Sequence, residues 1–294
     1  MIPVARADGA TVYCPVDGMY SFYNSPYPGH RLSTGIDVYP DAGFGDVAPS
    51  PAWGEVEQVR KIRSPRGRGF EDPGYDVVTV LRSLENPERA IKLLHVEPVI
   101  GVDDEVGPGQ ALGTLLRSGY FGFGTSPHVH AEIREPSDPL RARGGFPLAG
   151  LLDMDDANPP EALSGVVTSC APEFSTVRLE GVSAHGLPAD VGGVPGLLDG
   201  GIPYYGWLGA HIGDEAPKGR AVKLLGKTIA NITDVLGKVC LAECVEFRVE
   251  ADDTAVLGLS LRLSPRRGAE VKLIPLRVGG LRLEVDSEVS ISIR

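Results

Sequence analysis

Ser126-Pro127-His128-Val129-His130-Ala131-Glu132-Ile133-Arg134 is the stretch whose reading decides the fold. Read as a strand, its period of two puts residues 128, 130 and 132 on one face and 129, 131 and 133 on the other. Two imidazoles and a carboxylate then stand in a row, with successive members ~7 Å apart. That spacing suits one metal site with a base beside it. The chain has six histidines in 294 residues, so two of them here carry information. The same pattern also fits a half-exposed strand with incidental polar residues. The surrounding sequence decides between the two.

Upstream, Gly35-Ile36-Asp37-Val38-Tyr39 is a short strand that turns Asp37 away from Ile36 and Val38. Gly54–Ile62, the β-branched Tyr75–Leu81, and Ala90–Val96 with His95 near its end are further strands. Two short strands joined by a Pro-Gly turn are expected over Val102–Gly113. The four aromatics of Tyr20–Tyr27 suit core packing or a rim. The loop 63–74 carries Arg63, Arg66 and Arg68 and reads as a solvated segment. Gly119–Gly124, an aromatic, glycine-rich loop, leads into the histidine strand.

Residues 135–160 are rich in Pro, Gly and Asp, with a short helix expected near Leu148–Met154. They separate two domains, 1–155 and 156–294. In the second, Val166–Leu179, Phe247–Leu263, Lys272–Leu276 and Leu281–Ile293 alternate as strands. Ala221–Val239 is ambiguous: its apolar residues recur at a helical period, while Gly226 and Gly237 oppose a helix. His185 and His211 lie in glycine-flanked stretches and read as surface residues. The expected class is mainly β: an antiparallel sandwich or sheet domain followed by a smaller β-rich domain. The 38 glycines and 25 prolines favour this many-turned architecture.

The net charge of −11 is shared by both halves, so neither offers the basic surface that nucleic acid requires. The N-terminus lacks the apolar core of a signal peptide, and no apolar run is long enough for a membrane span. The four cysteines show no zinc-finger spacing and read as buried free thiols, Cys240-x3-Cys244 being only a weak metal pattern. Together these features lead us to expect a cytoplasmic protein with reduced thiols. They leave its oligomeric state open.

His30, His95, His128 and His130 all fall in the first half, in or near predicted strands, and Asp37 follows His30 by seven residues. A catalytic zinc needs three protein ligands and an open position, and imidazoles with a carboxylate are suitable donors. Remaining histidines can serve as general base or stabilise an oxyanion.

In order, the chain shows His30 before Gly35-Ile36-Asp37, Leu94-His95 ending a strand, Val106-Gly107-Pro108-Gly109-Gln110-Ala111-Leu112-Gly113, and Pro127-His128-Val129-His130-Ala131-Glu132-Ile133. Over roughly residues 29–134 it resembles the lysostaphin/LytM-type zinc endopeptidases, peptidoglycan-cleaving enzymes with a duplicated-hybrid-motif fold. The resemblance implies zinc bound by Asp37 and His130, with His30 the candidate third ligand. It implies His128 as general base or transition-state stabiliser, assisted by His95, with a zinc-activated water attacking a peptide carbonyl. The Gly119–Gly124 loop would form one groove wall. A peptide or cell-wall-like substrate follows, and no nucleic acid.

In that family the first histidine stands four residues before the aspartate. Here Ser33 holds that place. Either a loop three residues longer delivers His30, or the site lacks its third ligand. The main alternative to a zinc metalloendopeptidase is therefore a non-catalytic, LytM-like regulatory protein that binds a peptide or partner. A phosphocarrier-like domain that uses paired histidines for phosphate is a more distant one.

Overall fold

The computed structural model describes residues 1–294 apart from 68, 153, 155, 156 and 267. The expected role of Arg68 lies outside the described residues, while Arg63 and Arg66 are exposed. The chain divides into two compact units: Met1–Phe22 with Tyr27–Leu152, and Tyr23–Pro26 with Asp153–Arg294. Both are built almost wholly of antiparallel strands.

In the first unit the elements run β1 (Ile2–Ala7), β2 (Ala10–Cys14), β3 (Met19–Ser21), α1 (Pro28–Arg31), β4 (Gly35–Tyr39), β5 (Val47–Pro49) and β6 (Gly54–Arg63). They continue with β7 (Tyr75–Ser83), β8 (Ala90–Leu94), β9 (Val96–Pro98), β10 (Glu105–Val106), β11 (Ala111–Leu115), β12 (Val129–Arg134) and β13 (Ala149–Gly150). A seven-stranded sheet runs β10-β6-β7-β8-β12-β4-β3. Two three-stranded sheets, β5-β11-β9 and β13-β1-β2, accompany it.

The histidine strand β12 therefore lies inside the large sheet, between β8 and β4. Its apolar face, Val129, Ala131 and Ile133, is fully buried together with Ile36, Ile91 and Leu93. Each Val, Ile or Leu among them stabilises the fold by about 1.5–3 kcal/mol. The polar face of β12 is buried as well, which is the setting of the site.

Two expectations change, and the pair of short strands around the Pro-Gly turn forms with separate partners. The strand at Ala90–Val96 breaks at His95, whose φ of +69° sends the chain from β8 in the large sheet to β9 in a small one. β10 and β11 do not pair with each other: β10 joins β6, and β11 joins β5 and β9, so the Pro-Gly turn links two sheets. Leu148–Leu152 contains the short strand β13 and no helix, because Ala149 and Gly150 pair with β1.

In the second unit, six strands close into a barrel: Leu187–Val191, Ala221–Leu224, Lys227–Leu236, Val239–Cys244, Trp207–Ile212 and Val194–Ile202, the last pairing again with the first. Seven further strands extend the ladder from Val194–Ile202. The ambiguous stretch Ala221–Val239 is thus a hairpin and the start of the next strand. Gly226 and Gly237 occupy turns at φ +73° and +59°, which glycine adopts without steric penalty.

Tyr23 packs edge-on against Trp207 at 5.9 Å and tilted against His211 at 5.8 Å. His211 is buried and its Nε2 lies 3.3 Å from Asp199 Oδ2, so it is a core residue and not a surface one. His185 is only partly buried. Among the thiols, Cys14 and Cys240 are buried, Cys244 is half-buried and Cys170 is exposed, which departs from the expected uniform burial.

Candidate metal centre

The site is laid across β8, β12 and β4. His130 sits opposite Asp37 on one side and Leu94 on the other, which brings His95 alongside. His30 comes from α1. This single helical turn takes up the residues that separate His30 from Asp37. The turn ends with Ser33 at φ +59° and with Thr34 N–H donating to the Gly29 carbonyl. The longer spacing therefore does deliver His30: its Nε2 lies 3.3 Å from Asp37 Oδ1.

His30, Asp37 and His130 offer ligand atoms within 4.8 Å of one another, and all three are buried. His128 Nε2 stands 3.5 Å from the same Asp37 oxygen. The second ring nitrogens fix the tautomers, assigned here from their partners. A carbonyl can only accept, so His30 carries its proton on Nδ1, donated to Phe22 O at 2.8 Å. His128 likewise donates from Nδ1 to Ser126 O at 2.9 Å. Both rings thus turn an Nε2 lone pair toward a carboxylate oxygen.

His130 approaches Asp37 Oδ1 with Nδ1 at 2.8 Å and Glu132 Oε1 with Nε2 at 3.2 Å. The Tyr39 hydroxyl donates to the other oxygen, Asp37 Oδ2, at 3.3 Å. Lone pairs converging on a carboxylate repel one another unless a cation lies among them. This donor set therefore fits a divalent metal, and nitrogen and carboxylate donors suit zinc.

The electrostatics follow the geometry. Burial opposes the charge on Asp37, but in acid the positive charge of the neighbouring imidazoles, that of His128 foremost, and the hydrogen bond from His130 outweigh it, holding the carboxyl well below its usual range. Burial opposes a charged His130, yet hydrogen bonds to Asp37 and Glu132 raise it to about 9. Burial lowers His128 to about 4 against the pull of Asp37, so this ring is neutral at pH 7.

His95 stands beside the cluster, its ring centroid 5.1 Å from that of His128 and 6.1 Å from that of His130. Its Nδ1 lies 2.6 Å from Asp76 Oδ2, and its backbone N–H donates to Asp76 Oδ1 at 3.0 Å. Burial works against the Asp76 charge, and His95, joined by hydrogen bonds from Ser118 and the Val77 backbone, more than offsets it, keeping the carboxyl low. Asp76 escaped the sequence reading. Its signal was an aspartate inside the apolar run of β7, where an acid is costly without a partner. From the glycine-rich loop, Phe121 packs edge-on against His95 with ring centroids 4.6 Å apart and tilted against His128 at 4.7 Å.

Gly35 is fixed by the site. A Cβ there would lie 2.6 Å from His130 Cε1 and 3.2 Å from its Nε2. Gly35→Ala is expected to push the ring off Asp37 and, if the group holds a divalent metal, to weaken its binding by ~10-fold, the scale of a lost orienting contact. Competition with a chromogenic chelator measures this, and an unchanged affinity would show that the ring has slack.

Residues 11–150 match the family model described as Domain of unknown function (DUF8155) N-terminal domain, and residues 174–294 match the DUF8155 C-terminal domain. No curated protein matches the chain. Among solved structures, the NMR solution structure of lysostaphin matches at 11% identity, covering 72% of this chain and 86% of that one, with a TM-score of 0.25. That likeness is too loose to bear on fold or mechanism. Among the described residues, no helix is long and apolar enough to cross a membrane.

Proposed function

We propose that the protein is a zinc-dependent metallopeptidase or related amide hydrolase, with His30, Asp37 and His130 holding the metal. The observation that carries this reading is the convergence of three imidazole nitrogens on one oxygen of Asp37, with the far nitrogens of His30 and His128 anchored on carbonyls. Zinc at such a site supplies Lewis acidity toward a peptide carbonyl and lowers the pKa of water toward neutrality.

The chain's own residues supply the rest. His128, neutral and with Nε2 directed inward, accepts a proton as general base. His95, held by Asp76 with Nδ1 protonated, presents an Nε2 lone pair; having taken up the second proton of the attacking water it can stabilise charge at the carbonyl or hand that proton to the leaving amine. The substrate class is a peptide, including cell-wall-type peptides.

Phe121 gives weight to a second reading, a non-catalytic peptide binder, because its ring covers the two histidines assigned to proton transfer. Purified full-length protein decides between them. A hydrolase is expected to carry about one zinc per chain and to cleave glycine-rich or cell-wall-type peptides. Chelator should stop the cleavage and added zinc restore it. Folded protein that takes up no zinc sinks the proposal. Zinc uptake without cleavage of any such peptide favours the binder.

A further inference from the structure

Lys92, Glu132 and Arg134 form a buried ionic cluster directly behind His130. It follows from strand geometry. Residues 130, 132 and 134 share one face of β12, and Lys92 stands opposite Glu132 on β8. Glu132 Oε1 accepts from Lys92 Nζ at 2.9 Å and from His130 Nε2 at 3.2 Å. Its Oε2 accepts from Arg134 Nη1 at 2.6 Å. The cations are themselves fixed. Lys92 Nζ donates to Arg141 O at 3.2 Å, while Arg134 donates from Nε to Asp138 O at 3.1 Å and from Nη2 to Arg143 O at 2.7 Å.

We propose that Glu132, clamped by Lys92 and Arg134, is a positioning residue that fixes which nitrogen of His130 faces the metal. The inference rests on the metal reading of His30, Asp37 and His130. A carboxylate between two cations is ionised and can only accept hydrogen bonds. The His130 proton in the metal-loaded protein therefore belongs on Nε2, facing Glu132, and Nδ1 is left as the ligand atom beside Asp37. His30 is set the opposite way by the Phe22 carbonyl, with Nε2 as its ligand atom. The two imidazoles thus bind through different nitrogens, each fixed by an outer partner.

The test compares zinc affinity of wild-type protein and Glu132→Gln by chelator competition, with thermal melting of both metal-free proteins. Glutamine keeps the shape but leaves one oxygen contested by Lys92 and Arg134, so an amide N–H can turn toward His130 Nε2 and draw the ring proton to Nδ1. Zinc affinity is expected to fall by ~10–100-fold while the fold persists. Equal affinity in the two proteins overturns the role of Glu132 and leaves the metal site standing. A wild-type protein that binds no zinc overturns the metal site itself, and this role with it. Should the variant not fold, long-range 15N–1H correlations of zinc-loaded wild-type protein decide: His130 protonated at Nε2 supports the assignment, and His130 protonated at Nδ1 refutes it.

Discussion

Asp37→Asn is expected to strip the protein of stoichiometric zinc. Three imidazole nitrogens approach one oxygen of this carboxylate, and the Tyr39 hydroxyl holds the other. Asparagine fills the same volume and can keep a hydrogen bond to Tyr39, but it carries no charge to neutralise a divalent ion. If ~10 kcal/mol of zinc binding is shared among three ligands, the loss of one removes roughly 3 kcal/mol, more than 100-fold in Kd. Metal content after dialysis against a weak chelator measures the effect. Hydrolysis should disappear with the metal and return only partly at high zinc. A variant that retains one zinc per chain would falsify the assignment of Asp37 as a ligand.

Asp76→Asn should separate catalysis from metal binding. Asp76 touches no proposed ligand. Its Oδ1 accepts from the backbone N–H of His95 and of Val77, and its Oδ2 faces His95 Nδ1. Asparagine can keep the two backbone hydrogen bonds through its oxygen, but it then turns an N–H toward His95 Nδ1. The ring must answer with the opposite tautomer, leaving Nε2 protonated and unable to accept a proton. In serine proteases the same exchange behind the catalytic histidine lowers kcat by ~10⁴. A loss of ~10²–10⁴ in kcat is expected here, with zinc content and thermal stability near wild type. Full activity in this variant would remove His95 from the proton-transfer scheme. Loss of zinc together with activity would mean that Asp76 supports the metal cluster instead.

The histidine strand was legible because β12 alternates without interruption and both neighbours pair with it in register. His95, His128, His130 and Asp37 could be named for the same reason, since each lies on or beside a regular strand. Whether His30 reached the site could not be read, because the answer depends on one turn of helix whose four residues carry no periodic signal. Asp76, Lys92 and Arg134 were passed over as ordinary strand residues. Their meaning lies in cross-strand partners, and registry between strands is not written in local sequence.

The barrel in the second unit was obscured by its bulges. Register shifts between Val222 and Lys223 and between Ile232 and Asp234 break the period of two, and the broken pattern imitates a helix. The structural domain division turns on four residues, Tyr23–Pro26, that belong with the second unit. Nothing in their composition marks them.

The left-handed backbone at His95 sets stability against the chemistry proposed for its side chain. A residue with a Cβ in that conformation costs roughly 1–2 kcal/mol relative to the right-handed region, a penalty glycine escapes. The chain must adopt it there to pass from one sheet to the next, whatever side chain the position holds. Replacing His95 by glycine would relieve that backbone cost while removing the ring that the proposed hydrolase uses, so at this one position stability and the proposed activity pull in opposite directions.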